Sequence, residues 1–156
     1  GLNNALISIV AYNLGTKKYG RINKAIKLSG IYSAIIGVIG LVLLQVFPKQ
    51  IMQAFNASGT MTAIGVPALR IISLSFIFAC VSIMACYALQ GLSIGVPSMI
   101  ISAARQVIIL LPMAYFLGKA MGVTGVWWAF PITELVVMIA ACILLKQSLS
   151  KLTLSK

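Results

Sequence analysis

Leu28 to Phe47 is a run of about 20 residues without a single charge, and it constrains the fold more than any other feature. A helix needs about that many apolar residues to cross roughly 30 Å of hydrocarbon. Ile71 to Leu89 is a second uncharged run. Pro97 to Leu117 carries one charge, Arg105, and Val123 to Leu145 carries one, Glu134. The chain is 61% hydrophobic and 8% charged, whereas an ordinary soluble domain is about 25% charged. Its 156 residues can build a soluble core but cannot hide this much apolar surface. The sequence therefore predicts an all-α, polytopic membrane helix bundle whose main partner is the lipid bilayer.

The stretch 1–15 is apolar but too short to span, and it has neither a basic leader nor a small-residue cleavage site. The expectation is a fragment that begins part-way through a membrane helix. The basic connector 16–27 reads as amphipathic and interfacial, with Tyr19, Ile22 and Ile26 on one side. Spans follow at about 28–47, 71–89, 97–117 and 123–145, with a tail at 146–156. Pro48 to Pro67, rich in Ala, Ser, Thr and Gly, reads as the longest loop. The Gly-containing links at 91–96 and 118–122 are short enough to make their helices antiparallel neighbours.

Charge sets the orientation, because Lys and Arg accumulate on cytoplasmic loops. With the connector inside, that side carries Lys17, Lys18, Arg21, Lys24, Lys27, Lys146, Lys151 and Lys156, eight against Lys49, Arg70 and Lys119 outside. Connector and tail are therefore predicted to be cytoplasmic, in a multi-pass protein of the cell membrane, with Trp127 and Trp128 at the outer interface. The net charge of +11 comes from scattered residues at the ends of apolar runs. It does not form the continuous stripe that nucleic acid requires, so no nucleic-acid partner is expected.

The absence of His, with three cysteines inside apolar runs and no Cys-x-x-Cys, removes zinc, iron–sulfur and His-based catalytic designs. With one acid and no paired nucleophile, an enzyme is not expected, nor a metal or organic cofactor. Glu134, the single acid, falls about 16 Å into its span, near the midplane. A carboxylate there is either protonated or meets a polar cavity or a cation, and it serves either ion coupling or packing. Arg105 either snorkels to the interface or forms a gate or an inter-helix pair. Pro131, one turn before Glu134, shapes that site by kinking the helix. Met84, Tyr87 and Gln90 either line a cavity or simply pack.

Several short motifs resemble one family of transporters. Tyr12-Asn13-Leu14-Gly15 followed by Lys17-Lys18 and Arg21, then Ala88-Leu89-Gln90-Gly91, Ser102-Ala103-Ala104-Arg105-Gln106 with Pro112, and Gly122-Val123-Thr124-Gly125-Val126-Trp127 with Pro131 and Glu134 recur in order. Together they resemble the eighth to twelfth helices of multidrug and toxic compound extrusion (MATE) transporters, over essentially the whole chain. The resemblance implies two six-helix lobes, of which this chain is the later part of the C-terminal one, partnered by an N-terminal lobe. It also implies efflux of amphipathic or cationic drugs in exchange for H+ or Na+, with Arg105 and Gln106 as further cavity or gate candidates. Some members place a cation-binding acid in the tenth helix, where this chain has Phe78-Ala79-Cys80, so Glu134 is left as the local coupling candidate. Two other readings stay open: a lipid-linked oligosaccharide flippase of the same superfamily, and a non-transporting membrane scaffold component.

Overall fold

A computed structural model describes the backbone of residues 1–154 and the side chains of residues 1–152. Lys156, one of the charges counted for the tail, lies outside the described residues. The elements are α1 (Leu2–Gly15), α2 (Tyr19–Val46), α3 (Pro48–Ala54), α4 (Gly59–Ser73), α5 (Ser75–Gly91), α6 (Gly95–Ala104), a π-helical segment (Arg105–Leu110), α7 (Leu111–Met121) and α8 (Val123–Leu154). Tyr19–Val46, Gly95–Met121 and Val123–Leu152 are each long and apolar enough to cross a membrane. A fourth crossing is available from α4 and α5 taken together, bent by 44°.

Around α5 the bundle assembles, because this helix touches α1, α2, α6 and α8. Its small residues Ala85, Cys86 and Ala88, with Met84 and Leu89, are buried among Leu6, Val10, Ile22, Ile26, Ala141 and Leu145. Dispersion between closely approaching backbones drives such packing where lipid removes the hydrophobic gain. Gly91 is one contact of this kind: a Cβ there would lie 2.8 Å from Val10 Cβ and 3.1 Å from the Ile7 carbonyl. Gly122 makes the turn from α7 into α8 at φ +65°, a conformation that favours glycine.

Three parts of the chain depart from the sequence reading. The connector 16–27 is mostly the first turns of α2, and the face bearing Tyr19, Ile22 and Ile26 packs on the bundle core. Apolar residues between lysines suit either partner, and only the neighbouring helices decide. The expected loop 48–67 holds α3, with Pro48 at its start, and the front of α4. Ser58, which reads as loop composition, caps α4 by accepting from the Met61 amide. The span expected at 71–89 is broken after Ser73. Gln45 of α2 holds that break, donating to the Arg70 carbonyl at 2.8 Å and to Ser73 Oγ at 3.1 Å. Ser73 in turn donates to Arg70 O and Ser75 to Ile72 O, so the carbonyls freed by the bend keep partners.

At the far end, α8 runs through 145 without interruption. Its 32 residues reach about 48 Å, longer than the hydrocarbon layer, so the expected tail begins as helix.

Candidate functional site

Pro112 lacks an amide hydrogen, and its ring crowds the Ile108 carbonyl one turn earlier. The preceding turn is widened into the π-helical segment, which Arg105 opens. On α8, Pro131 likewise frees the Trp127 carbonyl, one turn before Glu134. These two perturbed helices bring the charges of the last two crossings along the chain together: Arg105 Nη1 lies 3.4 Å from Glu134 Oε1. The side chains are 26% and 16% exposed, which makes this a largely shielded pair. Of the two readings open for Arg105, the geometry gives the inter-helix pair.

Ser82 of α5 completes the cluster. Its Oγ is 3.0 Å from the Ala79 carbonyl and 3.3 Å from Glu134 Oε2, and its one proton serves both acceptors in turn. One nitrogen of the pair itself, Arg105 Nε, is buried and has no partner among the described residues. The guanidinium therefore uses only part of its donor capacity.

Next to the pair is a cavity of about 260 Å³, lined by Ser82, Ile83, Cys86, Tyr87 and Gln90 of α5, Ile101 and Ser102 of α6, Arg105, and Val137 of α8. Helical spacing explains the lining: positions 82, 86 and 90 repeat every four residues on one face of α5. At its α6 end, Gln90 Nε2 donates to Ser98 Oγ at 3.1 Å, and Ser98 donates to the Cys86 carbonyl at 2.9 Å.

Glu134, Arg105, Tyr87 and Gln90 thus gather in or beside one cavity. Met84 does not join them: it is buried in the core, with its methyl against Gly30 of α2. Gln106 is exposed and does not line the cavity. Pro131 is buried at a separate apolar cleft with Leu41, Leu74, Ile77, Phe78 and Trp128, so it acts on the helix and not on the cavity wall. The sequence reading missed Ser82, Ser98 and Ser102. Ser98, Ser102 and Arg105 recur at the i, i+4, i+7 spacing of one helical face, a signal that was available.

Fold and site together define a polytopic all-α membrane protein with a charge pair and a polar cavity between its crossings. The MatE family profile matches residues 1–116, and the chain belongs to that family. It is 24% identical over its whole length to the multidrug export protein MepA of Staphylococcus haemolyticus, covering 34% of that protein. It superposes with a TM-score of 0.92 on an inward-facing multidrug resistance MATE family transporter of the MOP superfamily, at 18% identity, covering 97% of this chain and 36% of that one. With the MATE multidrug transporter DinF-BH it shares 31% identity and a TM-score of 0.86, over 94% of this chain and 33% of that one. The chain spans about a third of the length of these relatives.

Proposed function

We propose that this chain is part of a secondary active exporter that moves amphipathic or cationic small molecules out across the cell membrane in exchange for protons. The observation that carries the reading is the Arg105–Glu134 pair beside a polar cavity. Ionisable groups at membrane depth are costly, and ion pathways are where they are retained. A proton and a sodium ion alike must compete with the guanidinium beside Glu134, and of the two we assign the proton as the driver. The names of the relatives, multidrug export and multidrug resistance transporters, support export of small molecules. Coverage of about a third of each supports a further lobe as the partner that completes the pathway. A flippase for oligosaccharide lipids needs several cations around its cavity, and Arg105 is the one cation in this lining.

The deciding experiment is made on the chain in its native polypeptide, reconstituted in vesicles. A pH gradient should drive movement of a fluorescent organic cation, and a sodium gradient of the same size should not. Movement driven by sodium alone would replace the proton with sodium in this scheme, and movement under neither gradient would end the exporter reading.

The basic turn and the end of α8 are assigned to the cytoplasm. Support comes from packing as well as charge: Ile22 and Ile26 share a core cluster with Leu145, so the basic start of α2 and the last turns of α8 lie at one end of the bundle. Thr60, exposed at the start of α4, lies at the opposite end. Thr60→Cys should react with a membrane-impermeant maleimide added to intact cells. Reaction only after the cells are opened would invert the topology.

A further inference from the structure

The cavity beside Arg105 has a charge character that its neighbour hides. Glu134 is 3.4 Å from the guanidinium yet does not belong to the lining, so the charge that the cavity wall presents is the cation. Its other polar groups are the neutral ones of Ser82, Tyr87, Gln90 and Ser102, set against Ile83, Ile101 and Val137. An organic cation placed there meets the guanidinium edge of the ion pair ahead of the carboxylate, which is unfavourable in a poorly solvated site. An oxyanion meets donors: the guanidinium and the hydroxyl-bearing Ser102 and Tyr87.

We propose that this cavity is a subsite for the carboxylate end of a small aromatic or zwitterionic molecule, and that the bound carboxylate competes with Glu134 for Arg105. Volume supports a one-ring body, since about 150 Å³ suffices for a benzene and this cavity has about 260 Å³. Planar, two-pronged recognition of carboxylate is what a guanidinium does better than an ammonium. Ser82 is placed to keep Glu134 partnered when Arg105 turns to the ligand, because its hydroxyl already reaches Oε2. The exchange links the ligand to the ion pair: a carboxylate arriving on Arg105 leaves Glu134 to Ser82, and its departure restores the pair. The inference rests on the exporter reading for its purpose, but binding itself is measurable without any gradient.

Benzoate is the probe, with benzylammonium as its counterpart of matched shape and opposite charge. Equilibrium binding is measured by calorimetry on the purified protein in its native polypeptide. Benzoate should bind and benzylammonium should not bind at this cavity. Arg105→Gln should weaken benzoate by about tenfold or more, the usual cost of losing a hydrogen bond to a charged group. Ser102→Phe, which fills the cavity and leaves the ion pair in place, should abolish benzoate binding and guards against a fold defect in the Arg105 variant. Glu134→Gln should tighten benzoate severalfold by removing the internal competitor, an effect that a merely structural carboxylate would not produce. Equal binding of both probes, or benzoate binding indifferent to Ser102→Phe and Glu134→Gln, overturns the proposal. Benzoate binding without gradient-driven transport would remove the exporter reading and keep the subsite, and transport without benzoate binding would do the reverse.

Discussion

Glu134→Gln should leave the protein inserted and abundant while removing proton-driven efflux. Glutamine keeps the size of the side chain and an amide oxygen that can still accept from Ser82 and Arg105, so packing between α5 and α8 is preserved. What it loses is the change of charge. A group that cannot alternate between carboxylate and acid cannot carry a proton through a cycle, and the guanidinium keeps a neutral acceptor in every state. A hydrogen bond to a charged group contributes about 1.5–3 kcal/mol, so the bias that a proton exerts on the pair is on the order of tenfold to a hundredfold. Efflux in a pH gradient should fall by at least the lower figure, and the residual flux should no longer follow pH. Drug accumulation in cells expressing matched amounts of the two proteins reads the first effect, and vesicle flux across a pH series reads the second. Unchanged flux with an unchanged pH profile would make Glu134 a packing residue and return the coupling group to another part of the protein.

How much of this was legible in the sequence depends on whether a residue acts through its own position or through its neighbours. Leu28 to Phe47 reads as a span because hydrocarbon thickness and helical rise fix the length from one strand of information. Glu134 is visible for the same reason, as a charge at a depth where charges are rare. Arg105 was visible as a charge but ambiguous as a partner, since its long stem reaches either the interface or an adjacent helix, and only the packing of α6 and the π-helical segment against α8 decides. The break after Ser73 was not legible: its neighbours Ile71, Ile72 and Leu74 look like continuous span, and the bend is held by Gln45, 28 residues earlier in the chain. Met84, open between cavity and packing in the sequence, packs for a simpler reason. It is two residues from Ser82 on α5, about 200° around the helix, so it faces the core while Ser82 faces the cavity. Ser82 itself carries no sequence signal strong enough to single it out, because a lone serine in an apolar helix usually satisfies its own backbone, as this one also does at Ala79.

Arg105→Met should destabilise the bundle markedly, and a second change should undo the damage to folding without restoring transport. The substitution leaves Glu134, 16% exposed, facing Ser82 and an apolar side chain. Breaking a well-buried pair by removing one partner costs about 3–5 kcal/mol. Both side chains retain some exposure here, so the lower end of that range is the expectation. That is still enough to lower the melting temperature and the amount of inserted protein markedly, given that native stabilities are themselves only about 5–15 kcal/mol. Adding Glu134→Gln removes the stranded charge. The double variant should therefore recover most of the abundance and melting temperature lost by Arg105→Met, while proton-driven efflux stays absent because neither charge remains. Thermal unfolding and membrane abundance of the two single variants and the double variant form a cycle, and a coupling of about 1 kcal/mol or more between the positions is the expected result. Additive losses, with the double variant worse than either single one, would mean that the 3.4 Å approach contributes no net interaction and that each residue is held by something else.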